Sequence, residues 1–105
     1  MYRFSWPTPV LDGALGGCHA LELLFVFDTL DAARDLVSEN APIDLARSMH
    51  AAWVRFATTG NPNGGDLPDR PAYDTDTRPV MDFGATRQLL HDPSSNQRQL
   101  WDSIW

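Results

Sequence analysis

Tyr2, Phe4 and Trp6 alternate with Arg3 and Ser5. A period of two in β-preferring residues predicts a strand over residues 2–6, closed by Pro7 and Pro9 because proline cannot continue a ladder. From Val10 to Cys18 the pattern lapses, and Gly13, Gly16 and Gly17 mark a loop whose backbone can come close to another group. Leu21, Leu24 and Phe25 fall at i, i+3 and i+4; over Ala20 to Phe27 a short helical turn and a strand fit equally well. Asp28 and Asp31 open a short helix over 28–38, with Leu30, Ala33 and Val37 on one face until Ser38-Glu39-Asn40 interrupts it. The strongest pattern comes next. Pro42 suits a first turn, Asp44 the positive end, and Leu45, Met49, Ala52, Trp53 and Phe56 form an apolar stripe, predicting a helix over 42–59 that Gly60 and Pro62 stop.

Residues 61–78 hold three Pro and four Asp with no period, and a loop of that length inside a compact domain needs a reason. Val80, Met81 and Phe83, between Pro79 and Gly84, predict a second strand over 79–83. Leu100, Trp101, Ile104 and Trp105 share one side of a last helix over 94–104, after Asp92-Pro93-Ser94. The fold class is therefore α/β, with two short strands and three or four helices. Two strands are too few for an independent sheet, and the stripes of the helices at 42–59 and 94–104 each need a partner surface. Residues 1–105 read as a single incomplete domain.

Composition narrows the function classes. Fourteen acidic residues against eight basic give a net charge of −6, and every basic residue is Arg. That balance offers no cationic surface for nucleic acid or anionic lipid. The longest apolar run, Leu23 to Phe27, has five residues, far short of the roughly 20 that span a bilayer. A lone Cys18 allows no internal disulfide and no Cys-rich zinc site. The first residues show neither a charged leader nor an apolar signal core, so the compartment is unmarked, with the cytoplasm as default. No cofactor is expected.

Several segments together resemble one family. They are the aromatic strand Tyr2 to Trp6; Gly16-Gly17-Cys18-His19-Ala20-Leu21-Glu22-Leu23 leading into Phe25-Val26-Phe27; and Trp53-Val54-Arg55-Phe56-Ala57-Thr58-Thr59-Gly60-Asn61-Pro62-Asn63. The likeness is to the C-terminal segment of a type B carboxylesterase, the cholinesterase and para-nitrobenzyl esterase family of the α/β-hydrolase fold. It continues through Pro71-Ala72-Tyr73, where the family usually has a tryptophan-proline before the aromatic, through Arg78, Met81 and Phe83, and through Arg98 with Trp101. Leu24 stands where the family pattern has proline. The resemblance implies a serine hydrolase mechanism, in which a serine attacks an ester carbonyl, a histidine takes its proton and an acid orients that histidine. His19 falls on the catalytic histidine. Glu22 matches the acidic position after it, which is not the triad acid. No Gly-x-Ser-x-Gly occurs in the chain, so the nucleophile, the triad acid and the oxyanion hole are not here.

The remaining candidates read as structural. His50 lies beside the helical stripe and is expected to be partly solvated, while His91 next to Asp92 reads as a turn residue. Cys18, His19 and Glu22 are too close in sequence to converge on a metal, and Cys18-His19 is a poor nucleophile pair for the same reason. Trp53 and Trp101 fit the core of a larger domain. The expected function is the C-terminal part of a carboxylic-ester hydrolase contributing His19, which acts on an ester only when completed by the N-terminal hydrolase portion. The rival readings are a non-catalytic interaction module and an inactive remnant of the same family. An exposed sheet edge is expected to permit self-association.

Overall fold

The computed structural model describes residues 1–105. Strand β1 (Tyr2–Phe4) runs parallel to β2 (Pro79–Phe83), with Arg3 opposite Asp82 and Phe4 opposite Phe83. β2 then turns back antiparallel into β3 (Arg87–His91), which makes one mixed sheet in the order β1-β2-β3. As the middle strand, β2 is buried along its whole length. The strand expected over 79–83 is present with those bounds. That expected over 2–6 stops at Phe4, although the Ser5 N–H still donates to the Phe83 carbonyl at 2.8 Å. Trp6 then leaves the ladder to pack on Phe25, with ring centroids 5.1 Å apart. β3 was not foreseen: its sequence Arg-Gln-Leu-Leu-His alternates weakly, and it becomes a strand because the Gly84-to-Thr86 turn delivers it to the free edge of β2.

The helices are α1 (Leu21–Val26), α2 (Arg34–Val37), α3 (Ile43–Thr59) and α4 (Ser95–Asp102). Between Ala20 and Phe27, where helix and strand fitted equally, the chain is helical. The single helix expected over 28–38 is instead two pieces, a 3-10 turn Leu30–Ala33 and the one-turn α2. Asp28 at φ 53° and Ser38 at φ 68° bound the segment, and Ala33 at φ −146° breaks it, so that Val37 can reach the core. α3 matches its expectation and ends at Gly60, whose φ of 77° closes the last turn through a hydrogen bond to the Phe56 carbonyl. Beyond it, residues 61–78 are irregular but pinned. Arg55 donates to the carbonyls of Pro62 and Gly64, the Asn63 side chain brackets the backbone of Arg70, the Ser48 hydroxyl donates to Asp66, and Leu67 enters the core.

The core lies between α1, α3 and the sheet, where Leu21, Phe25, Leu45, Met49, Met81 and Phe83 are shut off from solvent. It is small. Only 17 of 105 residues are buried, and the molecule is a slab of 42 × 35 × 20 Å. Its radius of gyration is 15.1 Å, against about 13 Å for a compact chain of this length. The accessible surface is 6866 Å², whereas a folded monomer of 11.7 kDa exposes roughly 5,900 Å². The excess has a place in the fold: Leu23 of α1, Phe27 just after it, Trp53 and Phe56 of α3, and Leu100, Trp101 and Ile104 at the C-terminus are all exposed.

Candidate functional site

After β1 the chain loops back over the carboxyl end of that strand, and the loop is held by specific contacts. Thr8, completely buried between two prolines, donates its hydroxyl to the Leu36 carbonyl and its N–H to the Gly16 carbonyl at 3.0 Å. Leu11 and Asp12 both adopt the left-handed conformation, with φ 53° and 54°, and so reverse the chain within one turn. Gly17 is set against the strand end, where a Cβ would stand 3.5 Å from the Trp6 carbonyl oxygen and 3.8 Å from that of Phe4. The backbone then passes through Cys18, whose carbonyl accepts from Leu21, and through Ala20 at φ 64° into α1. Phe25 of α1 supports this corner from below, its ring 5.0 Å from Phe4.

His19 stands exposed on this corner. An imidazole there is open to a group brought up from outside the chain. The other candidates are elsewhere. His91 ends β3 opposite Pro79, at the far end of the sheet from the Phe4 and Phe83 end that the loop covers. His50 is half-buried, with Nδ1 2.8 Å from the Val26 carbonyl, joining α3 to α1. Glu22, in the first turn of α1, acts towards Tyr2, whose hydroxyl is pushed above the usual phenol range first by burial and then by the Glu22 charge. Cys18 packs against the core cluster. No three His, Cys, Asp or Glu side chains gather as a metal site.

Two further residues, Thr8 and Asp82, hold this corner. Thr8 carries no pattern, being a single polar residue between prolines. Asp82 lies in a strand of otherwise apolar character, and there a lone buried acid was the available signal. Its carboxylate, 4% exposed, accepts from Arg3 Nε at 2.8 Å. Burial works to raise its pKa, but hydrogen bonds from Arg3, Ser5 and Gln88 and the Arg3 charge outweigh this and hold it below the usual carboxylate value. The pair locks β1 to β2 directly before the loop.

The family model described as "Carboxylesterase family" matches residues 1–101. The chain belongs to the carboxylesterase family. Among curated carboxylesterase relatives, the para-nitrobenzyl esterase of Bacillus subtilis is 35% identical over 104 residues, covering 94% of this chain and 20% of its own length. The phenmedipham hydrolase of Pseudarthrobacter oxydans is 35% identical over 88 residues, covering 79% and 18%. Among solved structures, a thermophilic PNB esterase superposes with a TM-score of 0.80 at 31% identity, over 94% of this chain and 21% of that one. The carboxylesterase of Geobacillus stearothermophilus at pH 6.2 does so with 0.77 at 39%, over 96% and 21%. The mixed sheet with its covering helices is thus part of an α/β-hydrolase fold. The chain spans about a fifth of the length of the carboxylesterases it matches.

Proposed function

We propose that this chain is the His19-bearing part of a serine carboxylesterase domain whose nucleophile, triad acid and oxyanion hole come from a complementary hydrolase portion. The observation that carries the reading is the exposed imidazole on a fixed loop over the carboxyl end of a strand with a parallel neighbour, in a chain of the carboxylesterase family. In open α/β sheets ligands bind at that end of the strands. His19 would take the proton of the serine hydroxyl as the serine attacks the ester carbonyl and then return it to the departing alcohol. Water, activated by the same imidazole, would release the acid. The extended slab and its surplus surface support one part of a larger domain. The surplus, on the order of 1,000 Å², is comparable to one side of a standard protein interface at about 800 Å². The open edge of β1 and the Trp53 and Phe56 face are where that portion would dock. In its absence we propose that copies of the chain associate there.

The test is hydrolysis of short p-nitrophenyl esters. The chain alone should not exceed free imidazole, because it has neither nucleophile nor oxyanion stabilisation. Combined with the N-terminal portion of a carboxylesterase it should turn over ester, and His19→Ala should remove roughly 10⁴-fold or more of that rate. Inactivation by His91→Ala with His19→Ala harmless would end this assignment.

A further inference from the structure

The loop after α3 carries a reactive dipeptide that its own geometry requires. The asparagines of the chain are Asn40, Asn61, Asn63 and Asn96, and of these only Asn63 precedes a glycine. Ala41 and Gln97 each place a Cβ beside the nitrogen that could attack the preceding side chain, and Pro62 has no N–H. The Gly64 nitrogen is unhindered, and its N–H donates to no backbone carbonyl. Gly64 is held at φ 127°, a conformation that glycine alone takes up readily. Position 63 needs an amide for a different reason. Its Nδ2 donates to the Arg70 carbonyl at 2.8 Å while its Oδ1 accepts from the Arg70 N–H at 3.1 Å. A carboxylate is all acceptor and cannot replace that pair. The backbone on either side is fixed as well, by Arg55 on the carbonyls of Pro62 and Gly64 and by the Asn63 N–H on Asn61 Oδ1 at 3.0 Å. What has to give before the half-buried Asn63 side chain can turn is therefore its bracket on Arg70.

We propose that Asn63 is a deamidation site gated by this bracket, and that the reaction unlatches residues 61–73 for good. Ring closure needs the side chain free to bring Cγ onto the Gly64 nitrogen, and while both hydrogen bonds stand it is committed to Arg70. When they open in a local fluctuation, the Gly64 nitrogen gives its proton to hydroxide and bonds to Cγ. The Cγ–Nδ2 bond breaks, and ammonia departs with a proton taken from water, leaving a five-membered succinimide. Water then opens the ring. Breaking the new bond between Cγ and nitrogen gives aspartate; breaking the bond between that nitrogen and the Asn63 carbonyl carbon gives isoaspartate, with the chain lengthened by one atom. Neither product can donate to the Arg70 carbonyl, so the bracket does not re-form.

The test is peptide-mass analysis of the full chain kept at mildly alkaline pH, both folded and in urea. Two hydrogen bonds standing against reaction should make conversion at Asn63 about ten- to a hundredfold slower in the folded chain than in the unfolded one. The deamidated chain is then separated by its added negative charge, and Asn63→Asp is prepared beside it. In both, amide hydrogen exchange over residues 61–73 should be about tenfold faster or more, because a partner of the Arg70 carbonyl is lost, with the middle of α3 unchanged. Should Asn63→Asp not fold, the chain deamidated in its native state gives the same reading. Equal rates folded and unfolded, no conversion at Asn63 in urea, or unchanged exchange over residues 61–73 after deamidation would each overturn the proposal.

Discussion

The Arg3–Asp82 pair should respond asymmetrically to removal of its two members. Asp82 is 4% exposed, while the Arg3 side chain is 43% exposed. Arg3→Met leaves a buried carboxylate with only Ser5 and Gln88 facing it. Breaking a fully buried pair from one side costs 3–5 kcal/mol, and the solvent at Arg3 together with the two surviving donors lowers this to about 2–3 kcal/mol. Asp82→Asn removes the buried charge itself and lets the guanidinium return to water, at about 1 kcal/mol for the weakened hydrogen bonds. Urea unfolding followed by far-UV circular dichroism measures both. The pH dependence supplies a second sign. Asp82 has a folded pKa below its usual value, so it contributes stability above the ordinary carboxylate range that is lost as pH falls through the folded value. That contribution is absent from Asp82→Asn. In Arg3→Met burial is less opposed, and the acid-side loss at Asp82 should shrink or reverse. An Asp82→Asn variant less stable than Arg3→Met at pH 7 would refute the reasoning.

Thr8→Val should cost about 1–3 kcal/mol because it takes the hydroxyl donor from the half-buried Leu36 carbonyl, and Thr8→Ser should recover most of it. Hydrogen exchange over residues 8–20 should rise in the valine variant only. Gly84→Ala should destabilise by roughly 1–3 kcal/mol, since a Cβ there would sit 2.4 Å from the Ser5 hydroxyl oxygen. Moving that hydroxyl takes a donor from Asp82, so the same urea titration in an Asp82→Asn background should show a smaller loss.

α3 was legible because its apolar stripe, Pro42 and Gly60 are local signals that agree. β2 was legible because Pro79 and Gly84 bracket an apolar run. His19 could be singled out because its segment carries a family pattern, although the loop geometry around it could not be read from composition. The break at Ala33 was not legible, since Leu30, Ala33 and Val37 satisfy helical spacing while tertiary packing demands another path. Nor was β3, whose strand character comes from the hydrogen bonds β2 offers rather than from its own residues.

What the amino-acid sequence determined by itself is therefore what local chemistry settles: helix and strand punctuation, the −6 charge, and the segment containing His19. What only the tertiary structure decided depends on residues far apart in the chain. Arg3 meets Asp82 across 79 positions, Thr8 meets Leu36 across 28, and Arg70 meets the Met1 carbonyl across 69. No periodicity encodes such pairings, because each exists only once the chain has folded back on itself, Thr8 with Leu36 inside the crossover and the other two as β1 is laid beside β2. The same crossover sets His19 and His91 at opposite ends of one sheet.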